Sequence, residues 1–179
     1  MLTPRRPSPI LVASPYEINS RLTSMYDNFE SIFLTKKGCY LRKSGNQSLT
    51  NNVETPVTWD VFEINENTSM LSSIISSRII ALEKGLYDVT YTAAFATGAG
   101  NKRLCYLIKN GLGSATLQRY ATIQISPVSM NETVVTGYYP ISLEKNDYIE
   151  LIVLQDSGAA LNLIGKAAIE TSITIRQRF

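Results

Sequence analysis

The chain has 179 residues and no histidine, which removes every Ser-His-Asp, Cys-His and histidine-metal centre that a single subunit could build. Lysine and arginine number 17 against 15 acidic residues, a formal net charge of +2 with only 18% charged residues, well short of a general nucleic-acid binder. Hydrophobic residues reach 44%, enough to bury the core of one domain and too many for a disordered polymer.

The chain opens with Pro4, Pro7, Pro9 and Pro15, which disfavour a regular helix or central strand and predict an extended arm over residues 1–14. The short apolar patch Ile10 to Ala13 is broken by prolines and is shorter than a signal-peptide core. The expectation is therefore synthesis in a cytoplasm without standard secretion. No apolar run approaches the ~20 residues that span a bilayer, so membrane insertion is not expected.

Ser14, Pro15 and Glu17 form a capping-box signature, and a helix is predicted from there to about Thr35, inside a neck of residues 15–37. Ile18, Leu22, Met25, Phe29 and Ile32 recur at alternating spacings of four and three, the seam of two heptads. Isoleucine at the d positions suits a trimer or tetramer better than a parallel dimer. A lone amphipathic helix packed on its own domain is the other reading, and Tyr26 and Phe33 widen the stripe in its favour.

From Cys39 onward the pattern has period two, and residues 38–179 read as one all-β domain. Tyr87, Val89, Tyr91, Ala93 and Phe95 share one face of a long strand, with Asp88, Thr90 and Thr92 on the other. Further strands are predicted at Arg103 to Lys109, Arg119 to Ser126, Thr133 to Tyr139, Asp147 to Gln155 and Ala167 to Gln177. Weaker ones cover Cys39 to Lys43, Val57 to Ile64 and Ser76 to Leu82. Short strands separated by turn residues describe an antiparallel jelly-roll β-sandwich, preceded by the extended N-terminal arm and one α-helix. Tyr148 to Leu154 is apolar on both faces apart from Glu150. A sandwich strand needs one apolar face, so Tyr148, Ile152 and Leu154 are expected to meet another subunit or the helix.

No motif carries catalysis or a cofactor. Gly98-Ala-Gly100-Asn-Lys102 lacks the Walker spacing and reads as a hairpin turn. Asp60, Glu63, Asn65, Glu66 and Asn67 do not follow the order of a calcium loop and read as a solvated loop. Asp60, Glu63, Glu83, Asp147 and Asp156 offer carboxylates, but nothing in the spacing pairs two of them for acid-base work. Cys39 and Cys105 read as two free buried thiols. Lys36, Lys37, Arg42 and Lys43 read as charges solvating the neck. Trp59, Tyr138 and Tyr139 are the candidate ligand-binding aromatics, set against a core or interface role.

Val57-Thr-Trp59-Asp60, Gly85-Leu-Tyr87, Asn110-Gly111, Leu143, Asn146-Asp147-Tyr148-Ile-Glu-Leu151 and the aromatic end at Phe179 together resemble the complement-globular-head and tumour-necrosis-factor-like jelly roll, in the version found on bacteriophage virion proteins. The resemblance covers roughly Leu41 to Phe179, and Asn146 replaces the family's usual glycine. It implies a compact, non-enzymatic homotrimer used for display or recognition, without a cofactor. The expected role is a bacteriophage virion structural protein, a capsid- or tail-attached fibre or decoration protein. It would sit in the virion and be made in the host cytoplasm. Arg5, Arg6, Pro7, Ile10 and Leu11 of the arm would anchor it to other virion proteins of the capsid or tail, and the head would meet a host-surface glycan or receptor. The alternative is a carbohydrate- or receptor-binding lectin-like module.

Overall fold

The computed structural model describes residues 38–66, 76–112, 118–127, 131–165 and 170–178. The arm and the neck lie outside these residues, and with them Arg5, Arg6, Pro7, Ile10 and Leu11, the seam Ile18, Leu22, Met25, Phe29 and Ile32, and Lys36 and Lys37.

Twelve strands are formed by the described residues: β1 Gly38–Arg42, β2 Gln47–Leu49, β3 Thr55–Pro56, β4 Val61–Glu66, β5 Ile79–Ile80, β6 Gly85–Phe95, β7 Arg103–Lys109, β8 Arg119–Ile125, β9 Thr133–Leu143, β10 Tyr148–Gln155, β11 Leu161–Leu163 and β12 Ser172–Gln177. All pairings are antiparallel. Sheet A runs β2-β11-β6-β12-β1-β4 with β9 also paired to β6, and sheet B runs β3-β10-β7-β8 with β5 beside β10. The described fold is all-β and antiparallel, a jelly-roll-like sandwich, as the period-two pattern requires.

Alternation places one core between the sheets. Leu41, Tyr87, Val89, Tyr91, Phe95, Ile173 and Ile175 point inward from sheet A and meet Cys105, Leu107, Ile149, Leu151 and Val153 from sheet B. Tyr91 is accommodated by its register partner Gly137, where a Cβ would collide with the tyrosine ring. Its hydroxyl donates to the Ala121 carbonyl at 2.5 Å, tying sheet A to β8 of sheet B. Cys39 and Cys105 are both free and buried, and burial pushes the Cys39 thiol up to about 12 and the Cys105 thiol up as well.

Several strand ends differ from the prediction. Pro140 does not stop β9, because β9 is paired on one side only and an edge position loses no ladder bond to proline. The turn after β6 is not a hairpin: β6 belongs to sheet A and β7 to sheet B, so residues 96–102 cross between the sheets. Asn110 and Asn146 adopt the left-handed conformation, with φ of 58° and 71°, which lets asparagine fill the family's glycine position before Asp147.

Candidate recognition surfaces

Two sheet faces point away from the core, and their chemistry differs. On sheet B, Leu104, Tyr106, Ile108, Ile152 and Leu154 form a second buried cluster behind β7 and β10. Register pairs Ile152 with Tyr106 and Leu154 with Leu104, and Ile152, Tyr106 and Ile108 are fully buried within a single chain. Glu150, in the same row, is 5% exposed and accepts a 2.6 Å hydrogen bond from the Ser77 hydroxyl. Arg78 lies over the half-buried Tyr148 ring at 4.2 Å. The doubly apolar strand is thus real, but Ile152 and Leu154 are already covered in one chain. The helix named beside another subunit as the expected cover lies outside the described residues.

On sheet A the outward residues form rungs across four strands. One rung is Tyr40, Thr174, Thr90 and Tyr138; the next is Arg42, Ser172, Thr92 and Thr136; a third carries Arg176, Asp88 and Pro140. The centre of this face, Thr90, Thr136 and Tyr138, is exposed. Tyr138, 53% exposed, donates to Asp88 Oδ1 at 2.5 Å, while Arg178 donates from Nε to Asp88 Oδ2 at 2.7 Å and from Nη2 to the Tyr138 hydroxyl at 2.6 Å. The Arg178 and Tyr138 hydrogen bonds hold the Asp88 carboxyl below the usual range.

A third region is a set of loops at one end of the sandwich. Gln155 donates to the Leu49 and Ala159 carbonyls, and Asn51 Oδ1 accepts from Gly158 N. Arg103, fully buried, donates to the carbonyls of Gly98, Ala99 and Lys102. Asp156 Oδ1 accepts from the amides of Asn101 and Lys102 at 2.8 Å and lies 3.7 Å from Arg103. The Lys102 amide is the largest of the contacts that lower its pKa. The three segments 50–53, 96–102 and 156–160 are thereby locked together.

No protein-family model and no curated protein matches the chain. Among solved structures, the Eiger TNF of S. frugiperda superposes with a TM-score of 0.62 at 10% identity, covering 81% of this chain and 94% of that one. Murine APRIL gives 0.61 at 13% identity, covering 80% and 99%. The globular domain of zebrafish complement 1qA gives 0.53 at 18% identity, covering 79% and 94%. The fold is the TNF- and C1q-like jelly roll. At these identities the likeness extends to the fold alone. The jelly-roll part of the expected resemblance therefore holds, and nothing ties the chain to bacteriophage proteins: the three structures named are animal TNF-type and complement proteins. That finding overturns the reading as a virion fibre, tail or capsid decoration protein.

The expected ligand-binding aromatics do not form one platform. Trp59 is 2% exposed and belongs to the core. Tyr139 is half-buried against the core edge, with its ring 5.3 Å from that of Tyr120. Tyr138 alone of the three is exposed, and its neighbours Thr90 and Asp88 are set by strand register, which sequence spacing does not show. Lys43 does not solvate a neck: it is 4% exposed and donates to the Thr58 carbonyl at 2.6 Å. The described carboxylates serve separate latches, Asp60 beside Lys43 at 3.7 Å, Asp147 beside Lys109 at 2.6 Å and Asp156 in the loop cluster. Among the described residues, no group of three or more His, Cys, Asp or Glu is placed to hold a metal ion.

Proposed function

We propose that the chain is a non-enzymatic recognition module that binds a protein receptor, working as a homotrimer of jelly-roll heads. The observation that carries this reading is the locked loop end, where Arg103, Gln155, Asn51 and Asp156 hold three segments in one shape before any partner arrives. A pre-ordered surface avoids much of the ordering entropy that binding otherwise costs. The TNF-like and complement-like fold supports the same reading, as does the heptad pattern of Ile18, Leu22, Met25, Phe29 and Ile32, which favours more than two strands. Three copies of a head raise avidity when receptors are clustered. A protein partner is favoured over a sugar because Trp59 and Tyr139 are not available to stack on a pyranose.

The test is binding of the labelled full chain to arrayed protein ectodomains beside a glycan array. The expected result is saturable binding to an ectodomain that survives enzymatic deglycosylation. Asp156→Ala should weaken that binding at least ~10-fold, equivalent to about 1.4 kcal/mol. Binding confined to glycans would contradict the proposal.

A further inference from the structure

We propose that Val53 is the anchor of the loop end, the side chain that enters an uncharged apolar socket on the protein receptor. The proposal rests on the receptor reading above and adds the anchoring residue and the chemistry of the partner. Its first ground is placement. Four large hydrophobic residues are exposed among the described residues, Val53, Leu86, Leu112 and Tyr138. Leu86 and Tyr138 lie on the outward face of sheet A, and Leu112 follows β7 at the end opposite to Arg103. Val53, 47% exposed, is the one carried by the locked loops.

The second ground is that the chain fixes this residue from both sides. Asn52 takes the left-handed conformation, with φ of 56°, and its amide donates to the Gln155 carbonyl at 2.8 Å. The Val53 amide closes the turn onto the Thr50 carbonyl at 3.3 Å, and the Thr55 hydroxyl donates to the Val53 carbonyl at 3.1 Å. Glu54 then pairs with Arg119 at 2.5 Å, and the Arg119 guanidinium lies over the Tyr106 ring at 4.6 Å. A single exposed valine is ordinary on a protein surface. This one is set apart because the backbone around it is fixed before binding and its β-branched side chain has few rotamers to lose.

Charge decides what the socket is made of. The exposed neighbours on the other two segments, Thr97, Ala99, Asn101, Gly158, Ala159 and Ala160, are small and uncharged, so a partner can approach the backbone closely. The ionisable side chains of those segments are Lys102, Arg103 and Asp156. Arg103 is buried against three carbonyls, Asp156 is taken up by the Asn101 and Lys102 amides and by Arg103, and Lys102 is half-buried. Glu54 and Arg119, at the rim, satisfy each other. A charge on the partner buried against Val53 would lose water without gaining a counter-charge, so the complementary surface is neutral and apolar. A contact of this kind is little affected by salt.

The experiment repeats the ectodomain array with the full chain as wild type, Val53→Thr, Val53→Asp, Val53→Lys and a control, Lys145→Glu, in an exposed turn. Each variant is first matched to wild type by circular dichroism and melting. Wild type and the control should bind the same ectodomain equally. Val53→Thr, which keeps the shape of the side chain, should bind it at least about 5-fold more weakly, and both charged variants should lose at least ~100-fold. Wild-type affinity should change by less than about 3-fold between about 50 mM and about 500 mM NaCl, and a steep fall would contradict the neutral socket. If one charged variant weakens binding and the other strengthens it, the socket is charged and the proposal is wrong. If Asp156→Ala weakens binding and every Val53 variant binds like wild type, the receptor reading stands and the anchor is wrong. A wild type that binds no ectodomain overturns both. If a charged variant misfolds, Val53→Thr decides.

Discussion

The outward faces of the two sheets are built from the same backbone and the same alternation, yet they end in opposite environments. Behind β7 and β10 the row Leu104, Tyr106, Ile108, Ile152 and Leu154 is as buried as the core itself. Across β6, β9 and β12 the row Thr90, Tyr138 and Arg176 is open. The contrast teaches that an apolar outer face is not by itself a sign of a partner. Here the apolar row is buried in one chain, and the polar row is the exposed one.

Substitutions on the two faces should therefore have opposite signatures. Ile152→Ala removes a fully buried side chain that faces away from the main core, and it should cost about 2–5 kcal/mol in urea unfolding of the full chain. A cost below about 0.5 kcal/mol would mean that the second cluster is loosely covered and the contrast is false. Gly137→Ala is the next largest. Its methyl group meets the Tyr91 ring inside the core, and a loss of about 1–3 kcal/mol is expected by the same measurement.

Acid should act on the latches rather than on either apolar cluster. Asp156 and Asp88 are held below the ordinary carboxylate range, Asp156 chiefly by the Lys102 amide and Asp88 chiefly by Arg178. Their contribution is present above the unfolded value of ~3.9 and is lost as pH falls through their lower folded values. Melting temperature measured from pH 7 down to pH 2 should decline in that acid window, and Asp156→Asn should flatten part of the decline. A variant that keeps the full acid slope would remove Asp156 from the account. The smallest stability effect belongs to the open face. Thr90→Arg, measured under conditions that keep the chain monomeric, should change stability by no more than about 0.5 kcal/mol.

Much of this fold was legible in the chain. The alternation of Tyr87, Val89, Tyr91, Ala93 and Phe95 placed a core face, and turn residues bounded most of the longer strands. Three kinds of feature escaped. β2 and β11, three residues each, are too short to show a period, and they are defined by pairing with each other. The crossing of residues 96–102 between sheets depends on Arg103, whose burial against three carbonyls reads in sequence as a surface charge. Trp59 looked like a ligand platform because aromatic residues have the same sequence signature in cores and in sites. The face around Tyr138 was only partly visible, since Thr90, Thr174 and Tyr40 come beside it through register rather than proximity in the chain.

The central claim, one buried outer face and one open one, is tested most directly by hydroxyl-radical footprinting of Tyr106 and Tyr138, read by mass spectrometry in the full chain held monomeric. Tyr106 should stay unmodified and Tyr138 should react readily. A reactive Tyr106, or a Tyr138 as protected as Tyr106, would contradict it.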